Sequence, residues 1–129
     1  MSSFTATGYS GETFAADFLE KNGYKILARN YHSRYGEIDI IAADENYIAF
    51  VEVKLRKNGS IVSPLESVSK SKRAKIIKTA VDYIVKYGCD LQPRFDIFAI
   101  EIKKSGEFAS PEFEYFKNAF SADGLELYV

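Results

Sequence analysis

Asp39, Glu52 and Lys54 interrupt two alternating apolar runs, "GEIDIIAA" and "YIAFVEVKLR", at positions where a stable sheet would take Val or Ile. Side chains alternate with period two along a strand, so Phe50, Glu52 and Lys54 share one face and Val51, Val53 and Leu55 the other. If the runs are joined by a turn of two residues (Glu45, Asn46) or four (Asp44 to Tyr47), opposed positions sum to 91. Asp39 then faces Glu52, and Glu37 faces Lys54. Two carboxylates with Cβ atoms about 5 Å apart destabilise a sheet unless something neutralises them. A divalent cation would do so. Magnesium, or manganese in its place, suits the pair because it binds one or two carboxylates, keeps several waters and accepts phosphate oxygens. Lys54, beside Glu52, would orient or help deprotonate a water and offset charge on a phosphate. The other reading is an exposed hairpin face on which Glu37 and Lys54 form an ordinary cross-strand ion pair. Both readings fit these residues taken alone.

Glu12 adds a third acid. It lies three, four and seven residues before Ala15, Ala16 and Leu19, on or beside the apolar stripe of the helix read over residues 10–23. A glutamate in a first helical turn is also favoured by the helix dipole. From a neighbouring helix it would complete an oxygen-ligand site.

The elements that must position these groups follow from periodicity. Ser10 caps the first helix and Asn22-Gly23 ends it; "YKILARNYHS" reads as a strand, followed by the two strands of the hairpin. "KNGSIVSPLES" has no period and reads as a loop. A long helix runs through "SKSKRAKIIKTAVDYIVKYG", with Ile77, Ala80, Val81 and Ile84 as its core stripe and Gly88 as its stop. "RFDIFAIEIK" is a further strand, and "FEYFKNAF" and "LELYV" add edge strands or a short helix. The order helix, three strands, helix, strand predicts an α/β fold, a mixed sheet of four to five strands flanked by helices in one domain over 1–129.

Composition bounds the partners. The chain has 129 residues, 47% of them apolar, enough to build a core. A single Cys89 and a single His32 exclude a His/Cys zinc site, so any metal must accept oxygen ligands. No run approaches the ~20 apolar residues of a membrane helix, and the start "MSSFTATGYSGE" lacks secretory features, so a cytoplasmic protein without membrane contact is expected. The net charge of −1 conceals two blocks. Residues 54–78 carry eight bases against Glu66 alone, a balance of +7, and residues 105–129 carry −4. The basic block would attract phosphates; a solvated helix face is the plainer alternative.

These residues also resemble a known pattern. Asp39 followed after twelve residues by Glu52-Val53-Lys54 resembles the PD-(D/E)xK signature of restriction-endonuclease-like nucleases, with "EID" in place of the leading proline and acid. The flanking blocks "GYSGETFAADFLEKNGYKILARNYHSRYGEIDIIAAD", "AFVEVKLR", "SVSKSKRAKIIKTAVDYI" and "RFDIFAI" resemble, in order, those of the YraN-like bacterial family over roughly residues 8–100. That resemblance implies a restriction-endonuclease-like fold similar in its core to archaeal Holliday junction resolvases. It implies Asp39, Glu52 and Glu12 as metal ligands and Lys54 as the catalytic lysine. Lys72 matches the basic residue that opens the family's second helix, and Arg94 with Asp96 its "RFD" strand. The loop "NGSIVSP" departs from the family by lacking an aromatic-glycine pair.

The function expected is a magnesium-dependent endonuclease on DNA, branched or otherwise structured, with RNA also open. A junction resolvase of this kind would work as a homodimer. Lys72, Arg73, Arg56 and Arg34 are the candidate nucleic-acid contacts. Tyr31 and Tyr35 could stack on bases or pack in the core, and Arg94 and Asp96 are expected to pair structurally. The alternative function is a non-catalytic nucleic-acid-binding module on the same fold.

Overall fold

The computed structural model describes residues 8–57, 64–102 and 112–122. The elements are α1 (Gly8–Lys21), β1 (Lys25–Ser33), β2 (Gly36–Ala43), β3 (Tyr47–Lys57), α2 (Pro64–Ser67), α3 (Lys70–Tyr87), β4 (Gln92–Ile102) and β5 (Glu112–Phe120). The strands form one mixed sheet in sequence order. β1, β2 and β3 pair antiparallel, β4 pairs parallel with β3, and β5 pairs antiparallel with β4. A parallel pair needs a crossover, which α3 supplies.

Each sheet face has its own core. Ala15, Ala16 and Leu19 of α1 pack on Ile40, Ala42, Ala49, Val51, Phe98 and Ile100. Ile76, Ile77 and Ala80 of α3 pack on the opposite face against Ile41, Ile48, Phe50, Phe95 and Ile97. Edge-to-face contacts of Phe14 and Phe18 with Phe98 and Phe113 extend the first core toward β5. Truncating Phe98, which has no exposed surface, would cost about 3–5 kcal/mol. Gly11 lets α1 approach closely, since a Cβ there would lie 2.6 Å from Leu55 Cδ2.

The expected architecture is present, with local differences. α1 begins at Gly8, so Ser10 lies inside its first turn and does not cap it. "PLES", read as loop, is the short helix α2. Ser69 caps α3, its side chain accepting the Lys72 amide, and Gly88 at φ 78° ends it as expected. The buried stripe of α3 is Ile76, Ile77, Thr79 and Ala80, whereas Val81 is 46% exposed. Residues 79 and 80 face the sheet and the next one rotates away, because each step turns 100°. The edge strand in "FEYFKNAF" is β5, and "LELYV" lies outside the described residues. No helix among the described residues is long and apolar enough to cross a membrane.

Candidate active site

The hairpin pairs in the expected register: Ala43 with Ile48, Ala42 with Ala49, Ile41 with Phe50 and Ile40 with Val51. The main-chain N–H of Asp44 donates to the Tyr47 carbonyl, which leaves Glu45 and Asn46 as a two-residue turn. Beyond Ile40 and Val51 the strands part. β2 remains with β1 through Ile38, Glu37 and Gly36, while β3 remains with β4 through Glu52 to Lys57. Asp39 and Glu52 are the first residues past the last shared pair, so both acids stand at the mouth of a fork.

Asp39 fills part of that gap. Its Oδ2 accepts the Val53 amide at 2.8 Å, standing in for a backbone partner. Around it the alternation slips. Ile38 and Ile41 belong to the core under α3 although Ile40 belongs to the core under α1. The same slip occurs on β1, where Ala28 and Tyr31, three apart, both pack under α3. Asn30 between them has φ 52°, the left-handed conformation that asparagine tolerates better than other side chains. Both strands therefore rotate at the level of Asp39, which places it in range of groups from both sides of the sheet.

From the α1 side comes Glu12, with its side chain only 13% exposed. It accepts the Asn30 side-chain amide at 3.1 Å and lies 3.8 Å from Arg29. Burial and the nearby Asp39 raise its pKa above the ordinary carboxylate value, against the opposing pull of Arg29 and Asn30. From the α3 side comes Lys72, whose Nζ is 3.3 Å from Glu52 Oε2; Lys54 Nζ is 3.9 Å from the same oxygen. Even so, burial and the charge of Asp39 push the Glu52 carboxyl up to about 7. Asp39 is raised too, chiefly by burial, with the Val53 amide and Lys72 resisting. Removal from water outweighs two lysines because their ammonium ends remain partly solvated.

The expected residues are thus brought together as Asp39, Glu52, Lys54 and Lys72, with Glu12 joined through Asp39. Glu52 and Lys54 lie on the face that carries α3, Glu12 comes from the α1 side of the sheet, and Asp39 sits in the fork between them. Glu37 does not face Lys54, because the strands have separated there; it lies 3.5 Å from His32 instead. Of the candidate nucleic-acid contacts, Lys72 reaches the acids. Arg73 donates to the Val68 carbonyl at 2.8 Å, anchoring the start of α3. Arg56 is half-buried on β3, and Arg34 is exposed in the β1–β2 turn. Arg94 and Asp96 form the expected structural pair, bonded at 2.9 and 3.0 Å.

Sequence reasoning missed Asn30. Its signal was an asparagine inside the strand "KILARNYHS", a residue type that strands disfavour. Among the described residues no group of three acids stands at metal-binding spacing. The half-buried Asp39 and the buried Glu52 offer instead a pair of carboxylates, a donor set that suits an ion which keeps several waters.

Comparison with known proteins identifies the family. The model of "Uncharacterised protein family UPF0102" matches residues 11–100. A UPF0102 protein of Chlorobium chlorochromatii is 39% identical over 115 residues, spanning 88% of this chain and 89% of that protein. The Clostridium botulinum protein CLJ_B2665 is 42% identical over 113 residues, 88% of this chain and 92% of its own. A relative in Dictyoglomus thermophilum is 43% identical over 114 residues, 88% and 95% respectively. The chain belongs to the UPF0102 family.

Proposed function

We propose that the protein is a metal-dependent phosphodiester hydrolase acting on DNA. The observation that carries this reading is the fork: a half-buried and a buried acid with raised pKa values, set beside each other where two paired strands part, with two lysines near one of them. A fold gains no stability from that arrangement, and perturbed carboxylates in such a place mark chemistry.

Asp39 and Glu52 would hold magnesium or manganese, with Glu12 supporting Asp39 from behind. The bound ion would supply Lewis-acid stabilisation of phosphate charge and activation of the attacking water. The protein groups then divide the work. The Val53 amide holds the Asp39 carboxylate in place. Lys54 orients the water and offsets charge developing on the phosphate. Lys72, whose Nζ lies 3.3 Å from Glu52 Oε2, would offer its charge to a backbone phosphate.

The same Lys72–Glu52 contact supports a second reading, a nucleic-acid-binding module in which lysines alone neutralise the acid. Metal dependence separates the two. Purified protein is expected to nick or cleave branched, duplex or single-stranded DNA with magnesium or manganese, and chelator should stop it. Asp39→Asn and Glu52→Gln should abolish cutting while preserving much of the DNA binding, and Lys54→Ala should lower the rate by about 10²–10³. Binding should weaken steeply with salt, and weaken further when Lys72 and Arg73 are both replaced by Glu. Absence of cutting on every substrate with either ion leaves the binding module as the function.

A further inference from the structure

The turn between β1 and β2 carries a second constellation outside the acid site. Tyr35 is 37% exposed, and two cations lie near its ring: the Arg34 guanidinium carbon is 5.1 Å and Lys78 Nζ 5.9 Å from the ring centroid. Arg34 also donates to the Tyr35 hydroxyl at 3.0 Å.

The backbone that presents this ring is fixed. Ser33 Oγ accepts the Tyr35 amide at 3.0 Å and donates to Thr79 Oγ1 at 3.2 Å, while that hydroxyl bonds the Lys75 carbonyl at 2.8 Å. Gly36, at φ 155°, supplies a backbone conformation that other side chains rarely adopt, and the turn there lies against α3, a Cβ at this position making ordinary contact with Lys75 Cβ at 3.5 Å. A solvent-facing tyrosine needs no such support. An aromatic surface held at constant height above a helix is what a stacked base requires, because stacking falls away steeply with misplacement.

The platform is also connected to the acids. Lys72, Lys75 and Lys78 follow one another at three-residue steps along α3, from the Glu52 carboxylate to the Tyr35 ring. Three to four residues of strand separate Asp39 from Gly36 and Tyr35, a span of about 10–13 Å. At 3.4 Å per stacked nucleotide that equals about three or four nucleotides.

We infer that the β1–β2 turn binds single-stranded DNA, an unpaired base stacking on Tyr35 while Arg34 and Lys78 hold the flanking phosphates, three or four nucleotides along the strand from the acid pair. This deepens the hydrolase reading and rests on it for the position of the cut. It makes DNA with an unpaired stretch, such as a flap, fork or gap, the substrate class, since a base inside a continuous duplex has no free face to offer.

The test is made in chelator, where no cutting can occur, by fluorescence anisotropy at one fixed salt concentration. The probes are a labelled single-stranded oligonucleotide and a blunt duplex of the same sequence. Tyr35→Ala should lose about 5- to 100-fold in affinity for the single strand and less than about twofold for the duplex. Tyr35→Phe keeps the ring and should bind both probes within about twofold of the parent, with all proteins melting alike. Equal losses on both probes, or none on either, overturn the platform. If the Tyr35 pattern holds but the protein cuts nothing with magnesium or manganese, the hydrolase reading falls and the single-strand platform stands. If it cuts and Tyr35 is inert, the platform alone falls.

Discussion

Asp96 and Glu52 are buried on neighbouring parallel strands, at 0% and 6% exposure, one enclosed by partners and the other set against a competitor. Asp96 Oδ1 accepts Arg94 Nε at 3.0 Å and the Asn118 amide at 2.8 Å; its Oδ2 accepts Arg94 Nη2 and the Tyr115 hydroxyl. Arg94 is itself shared with the Tyr24 hydroxyl and lies over the Tyr47 ring at 4.9 Å. Burial and the Asp96 charge raise the Tyr115 hydroxyl, which holds its proton and stays a donor. Glu52 has instead two partly exposed lysines at 3.3 and 3.9 Å and a second carboxylate, Asp39, beside it. Even the backbone devices correspond, since a left-handed asparagine shapes each place: Asn118 aims its own amide at Asp96, and Asn30 aims its side chain at Glu12. Burial alone therefore does not set the two acids apart. Burial beside an unmatched carboxylate does.

The largest effect should come from breaking the satisfied side of this comparison. Asp96→Ala leaves Arg94 buried without its counter-ion and is expected to cost about 3–5 kcal/mol of stability, measured by urea unfolding. A cost below about 1 kcal/mol would put the two acids on the same footing. The opposite sign is expected at the fork. Glu52→Gln removes an unmatched charge and should raise stability at pH 8 by about 1–3 kcal/mol, the scale of its pKa displacement after loss of the lysine contacts. Destabilisation there would mean that Lys72 and Lys54 satisfy Glu52 as completely as Arg94 satisfies Asp96.

The same displacement has a pH signature. The Glu52 carboxyl rises from 4.5 to about 7 on folding, so the folded chain holds this proton more tightly than the unfolded one. Its contribution to stability is whole below about 4.5 and is lost as pH rises toward 7. Melting temperature should fall across that window in the parent protein, and Glu52→Gln should flatten the fall. Saturating magnesium should flatten it as well, because an ion that takes the place of the proton stabilises the folded state at higher pH.

The smallest effect is expected from Lys72→Met. A half-exposed lysine contributes little to stability, about 1 kcal/mol or less. Its charge nevertheless opposes the rise of Glu52, so the carboxyl midpoint, followed by NMR, should move further up. A midpoint that stays in place would show that Lys54 alone holds the carboxylate.

Much of this was readable in the chain because it depends on neighbours in sequence. Period-two alternation in "GEIDIIAA" and "YIAFVEVKLR", with a two-residue turn, set the register that joins Ile40 to Val51. Helical spacing placed α1 and α3, and Gly88 stopped the second helix by local backbone preference. Residue types alone supplied two acids and a lysine of the right chemistry. What the linear pattern could not hold was decided by contacts between distant segments. The fork exists because β2 follows β1 and β3 follows β4 beyond one residue pair, and that separation cancelled the expected Glu37–Lys54 pair. Lys72 meets Glu52 only because α3 packs on that face of the sheet, and Asn30 meets Glu12 because α1 packs against the other. The raised acids arise the same way, since a carboxylate's pKa follows the water and charges around it, and these are set by packing.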